Sequence, residues 1–170
     1  MKTLMKFALI AALTLPLARA VAADQIYTLA VLDFDSSDES VQGLGPQVAT
    51  LISANLSAQP QIMTVDRADL KKILGEQELG LSGMVSPDSA AKVGQLTGAK
   101  VLVTGRVFET GNQMILVAKT IGTETSRVYG EIVSGPVNSP ITDLSAQLAQ
   151  KIAADVAAKG DTLIATVESP

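Results

Sequence analysis

Four carboxylates crowd one short stretch: Asp33, Asp35, Asp38 and Glu39, in the polar run DFDSSDES that follows a nearly all-apolar segment, residues 26–34 (IYTLAVLDF). Carboxylate oxygens bind hard cations such as Ca²⁺ or Mg²⁺, and the carboxyl end of a strand in an open α/β sheet is where ligands collect. Asp33, Asp35 and Asp38 are therefore the candidate cation ligands. The competing reading is a solvated loop whose acids cap turns, because the spacing matches no calcium-binding loop and no glycine stands at its sharp turn. Other chemistry is removed by composition. The chain has no His and no Cys, which excludes Ser-His-Asp and Cys-His nucleophiles and the usual structural zinc ligands. Glu76 and Glu78 stand two apart on a helical stretch and do not face each other as an acid–base pair. Ser82 has no base to activate it and lacks the spacing of a nucleophile elbow. Gly43-x-Gly45 and the GQLTGAK run at 94–100 have the look of anion-binding turns, but Lys100 opens a strand where a phosphate loop needs a helix, and Pro46 lacks an amide the first turn would use. Close packing and helix capping explain these glycines. We expect no catalytic residue and no cofactor.

The elements that must hold these residues follow from periodicity. The segment 26–34 reads as a strand covered on both faces. After Gly43-Leu44-Gly45-Pro46, the positions Val48, Leu51, Ile52, Asn55 and Leu56 recur at helical spacing, and Gln59-Pro60 stops that helix. Residues 62–65 form a short strand, and Asp66 with Asp69 opens a second helix through Leu70, Ile73 and Leu74. After a loop at 80–85, Ser86 caps and Pro87 begins a third helix that Gly98 ends. Residues 100–109 and 113–121 form a hairpin turning at Gly111-Asn112, and 128–134 adds another strand. Ser139-Pro140 starts a last helix with the stripe Ile141, Leu144, Leu148, Ile152 and Val156, ending near Gly160; residues 161–170 read as a flexible tail. The order is β-α-β-α-α-β-β-β-α, which makes the fold class α/β (α+β), a single mixed sheet flanked by helices.

The N-terminus reads as a secretory signal peptide, residues 1–23. Lys2 and Lys6 precede an apolar run at 7–17, too short to span a bilayer, and small residues offer cleavage after Ala20 or, favoured, after Ala23. Removing those 23 residues from the 170 leaves 147, one domain in length, with the domain itself at 24–160. Lys2, Lys6 and Arg19 account for three of the 13 bases, so the 10 that remain against 17 acids give a net charge of −7. That balance argues against nucleic acid as a partner. No later stretch is apolar enough for a transmembrane segment, and the absence of Cys leaves nothing to carry a lipid anchor. A periplasmic protein that is not a lipoprotein is expected.

The run VDRADLKKILGEQELGLSGMVSPDSAAKVGQLTGAKVLVTGRVFE, residues 65–109, together with YTLAVLDFD at 27–35, resembles the curli production assembly/transport CsgG family. The resemblance implies a fold like the periplasmic domain of the curli secretion channel, related to the amino-terminal domain of TolB-type proteins and to lipoproteins that activate cell-wall synthases. It also implies action by protein contacts, with other subunits as partners. The chain departs from the channel protein in lacking the lipidated Cys and the barrel hairpins: only residues 113–121 approach a spanning strand, and aromatics make up 3%. The expected role is a non-enzymatic interaction domain in envelope assembly or secretion, able to self-associate. Its candidate contacts are the helix at 47–58 and the apolar loop residues Leu79, Leu81, Met84 and Val85, for which packing onto their own domain is the other reading. The alternative function is a small-ligand or divalent-cation sensor at Asp33, Asp35 and Asp38.

Overall fold

The computed structural model describes residues 25–76 and 85–164. Its five strands are β1 (Tyr27–Val31), β2 (Ile62–Thr64), β3 (Val101–Thr110), β4 (Gln113–Gly122) and β5 (Val128–Pro136). Its helices are α1 (Leu44–Ser57), α2 (Arg67–Glu76), α3 (Pro87–Thr97) and α4 (Ile141–Ile164), with a 3₁₀ turn at Glu39–Val41. The strands form one mixed sheet in the order β2-β1-β3-β4-β5. β1 pairs in parallel with β2 and β3, and β3, β4 and β5 form an antiparallel meander. The expected order of elements and the single mixed sheet are both present.

Two apolar layers hold the sheet. On one face α1 and α4 bury Val48, Ile52, Leu56, Leu148, Ile152 and Val156 against Leu29, Val103, Leu116 and Val133. Each such side chain contributes on the order of 1.5–3 kcal/mol by leaving water. The opposite face has a smaller layer, in which α2 and α3 set Leu70, Ala90 and Val93 over Ala30, Leu32, Leu102 and Ile121. Both of these helices precede β3, so their layer sits over the parallel half of the sheet.

Local chemistry places the helices as the sequence suggests. Asp66 Oδ1 accepts from the amides of Ala68 (2.8 Å) and Asp69 (3.2 Å) at the start of α2. Ser86 Oγ accepts from the Ser89 amide at 3.2 Å, and Gly98 closes α3 with φ +72°. Ser86→Ala is expected to cost about 1 kcal/mol, read from the urea midpoint of unfolding.

One boundary differs. α4 does not end near Gly160 but runs to Ile164, and Leu163 is buried in the main core. The glycine is there for space: a Cβ on it would stand 2.4 Å from Cζ of Tyr27. Residues 161–164, read from sequence as the start of a flexible tail, are thus the last turn of α4.

Candidate functional site

The acids after β1 are drawn to bases on two separate elements. Asp33 pairs with Arg67 on α2, whose Nη1 also donates to the Val31 carbonyl at 2.8 Å, and Lys71 Nζ lies 3.9 Å from its other oxygen. Asp35 continues the sheet, its amide donating to Gly105 O at 2.8 Å, and its carboxylate meets Arg106 Nε at 3.3 Å. Asp38 accepts from Arg106 Nη2 at 3.2 Å. The carboxylates thus face guanidinium groups instead of one another, and among the described residues no group of three or more acids, His or Cys is placed to hold a metal ion. Calorimetric titration with Ca²⁺ or Mg²⁺ to millimolar ion is expected to give no binding heat; a saturable heat lost in Asp35→Asn would restore the cation reading.

Arg106 opens onto a larger feature. α2 and α3 reach only the first part of the meander, and the alternating positions beyond them point outward: Arg106 and Phe108 on β3, Ile115, Val117 and Lys119 on β4, Val128 and Ile132 on β5. Cross-strand register places Arg106 beside Val117 and Val117 beside Ile132. Val128 and Ile132 are half exposed. The Arg106 guanidinium lies 5.7 Å from the centre of the Phe108 ring, and the two border a cleft of about 490 Å³ with Asp35, Val117 and Lys119. This is a partly apolar face with basic groups set into it, Arg106 beside Val117 and Lys119 between Val117 and Ile121, a composition found at contact surfaces.

β5 is also an edge. Among the described residues it pairs with β4 alone, and Lys151 Nζ from α4 donates to the Ile132 carbonyl at 3.0 Å. Beside that contact, Asp155 acts on the Glu131 carboxyl, and Lys159 Nζ binds Asp155 Oδ1 at 2.6 Å and sits 4.7 Å from the centre of the Tyr129 ring. The hydrogen bond with Asp155, then burial and the Asp155 charge, raise the Glu131 carboxyl above the ordinary glutamate range against the pull of Lys151 and Lys159. Burial works upward on Asp155 as well, but its bonds to Lys159 and Glu131 outweigh it and the net direction is down.

Of the contact residues expected from sequence, Leu79, Leu81 and Met84 lie outside the described residues; Val85 is partly buried and packs on the α2–α3 layer. The helix expected at 47–58 is α1, with Val48, Ile52 and Leu56 inward. Phe108, Val117 and Ile132 were not anticipated as a surface, since QMILVAKTI reads equally as a strand covered twice. The available signal was the helix order: among the described residues, no element after β5 other than α4 is left to cover the meander, and α4 is committed to the core.

The family model of the curli production assembly/transport component CsgG matches residues 21–115. No curated protein sequence matches. TolB from Acinetobacter baumannii superposes with a TM-score of 0.50 and 15% identity, over 81% of this chain and 29% of the TolB chain. The hypothetical protein CT253 from Chlamydia trachomatis has a TM-score of 0.50 and 17% identity, over 78% of this chain and 96% of its own. At these identities the likeness is one of fold. No helix among the described residues is long and apolar enough to cross a membrane.

Proposed function

The chain belongs to the family of the curli production assembly/transport component CsgG, and on that premise we propose that it acts in the periplasm without catalysis, by protein–protein contacts that serve envelope assembly or secretion. The observation that carries this reading is the half of the sheet that no described element covers on one face, where Phe108, Val117, Val128 and Ile132 form an apolar strip with Arg106 and Lys119 set among them. An apolar strip of that kind is an energetic cost to an isolated domain and a gain once covered. The lack of His and Cys supports a role without acid–base or nucleophilic chemistry. Partners are other protein subunits, further copies of the chain among them, and Leu79, Leu81, Met84 and Val85 remain candidate contacts in addition to the strip.

The test is a photo-crosslinking amino acid placed at Val117, Ile132 and, as a control on the exposed side of α3, Gln95 in the exported protein. Adducts at 117 and 132 and none at 95 are expected, together with a solution mass by light scattering that rises with concentration if the partner is a second copy. No adduct at either strip position, in a protein shown to reach the periplasm, overturns the reading.

A further inference from the structure

Lys151 stands between two acceptors. Its Nζ lies 3.0 Å from the Ile132 carbonyl oxygen, on the free edge of β5, and 3.9 Å from Glu131 Oε2. An ionised carboxylate adds the attraction of opposite charges to the hydrogen bond that an ammonium makes with any oxygen acceptor, whereas a protonated carboxyl has no such advantage over the carbonyl. The partner of Lys151 therefore depends on one proton. We propose that Lys151 is a proton-controlled guard on the sheet edge. With Glu131 protonated it stays on the Ile132 carbonyl and closes the edge; with Glu131 ionised it moves to the carboxylate and leaves that carbonyl open to the N–H of an incoming strand.

The surroundings supply the control. Among the described residues α4 presents Asp155, Lys151 and Lys159 to Glu131, its own strand contributes Tyr129 under the Lys159 ammonium, and β4 places the uncharged Ala118 opposite it. Asp155, held ionised by Lys159, is the acceptor for the Glu131 proton. A carboxyl whose value is raised by folding stabilises the fold below its unfolded range, and that contribution is lost as pH rises through the folded value. Asp155, lowered by folding, contributes above its unfolded range and loses its contribution as pH falls through the folded value. The seam between β5 and α4 is tightest between those two values and loosens toward neutrality. Lysine on an exposed strand edge is a common device against unwanted pairing; here the device is conditional.

This goes beyond the proposed contact role and needs no partner for its test. In protein labelled with ¹³C and ¹⁵N, the Glu131 carboxyl carbon and the Ile132 carbonyl carbon are followed from about pH 4 to about pH 7.5, spanning the carboxylate range. The two are expected to titrate with one shared midpoint, above that of an exposed glutamate. In Glu131→Gln the Ile132 signal is expected to stay flat at the acid-limit position, and in Lys151→Met Glu131 still titrates while the Ile132 carbonyl does not follow. An Ile132 carbonyl that stays flat in the unaltered protein while Glu131 titrates overturns the proposal, as does a pH step that persists in Glu131→Gln. Gln is isosteric with Glu and the Lys151 side chain is 51% exposed, so both variants are expected to keep the amide spectrum of the fold.

Discussion

Gly45→Ala is expected to destabilise the domain by about 2–3 kcal/mol, although alanine is the better helix former by about 1 kcal/mol. The residue sits in the first turn of α1, and a Cβ there would stand 1.9 Å from the Phe34 carbonyl oxygen and 3.0 Å from Ser36 Oγ. The backbone of Phe34 cannot retreat, because Asp35 is bonded to Gly105 and Val107 on either side. Relief therefore requires α1 to lift, taking Val48, Ile52 and Leu56 off the sheet. Gly75 in α2 is the matched control: nothing lies within 4 Å of its added Cβ, so Gly75→Ala is expected to be neutral or to stabilise by up to about 1 kcal/mol. Urea unfolding of the two variants gives midpoints that move in opposite directions, or not at all for Gly75→Ala; a rise for Gly45→Ala would mean that α1 does not dock this closely.

Ile152→Ala is the second large effect, an expected loss of about 3 kcal/mol. Ile152 is inaccessible on α4, in the layer shared with Leu148, Val156 and the sheet. The same truncation at Ile132, 54% exposed on the bare face, is expected to cost under about 0.5 kcal/mol. Identical chemistry then separates core from contact surface, with thermal or urea unfolding as the measure. Equal losses at the two positions would show the strip to be covered in the isolated protein.

Helix and strand identities were legible because each rests on neighbours in sequence. The stripe from Ile141 to Val156 specifies one face of α4 at any stage of folding, and Ser86 with Pro87 starts α3 before any tertiary contact exists. Gly111 takes φ +59° at the hairpin turn where Gly111-Asn112 predicts one. The end of α4 was misplaced because Gly160 has the signature of a helix stop while its reason for being glycine is the Tyr27 ring, which comes from the other end of the chain. Distance in sequence also hid the site. That Asp33 answers to Arg67 and Asp35 to Arg106 depends on strand order, and an apolar residue such as Val117 carries no local mark of whether a helix lies over it. The pairing of Glu131 with Asp155 joins a strand to a helix and has no sequence pattern at all.

Among the described residues the sheet is covered twice in its parallel half and once over most of its meander. That asymmetry divides the positions of the domain by how freely they can vary. Around β1 nearly every side chain is committed to one layer or the other, so substitutions there must conserve volume. At the outward positions Ile115, Val117 and Lys119 of β4, and at every second residue from Val128 to Ser134 of β5, the side chain can be rewritten with little effect on folding. One scaffold can in this way be readdressed to new partners by changes confined to a few alternating positions, while a separate set of residues keeps it folded.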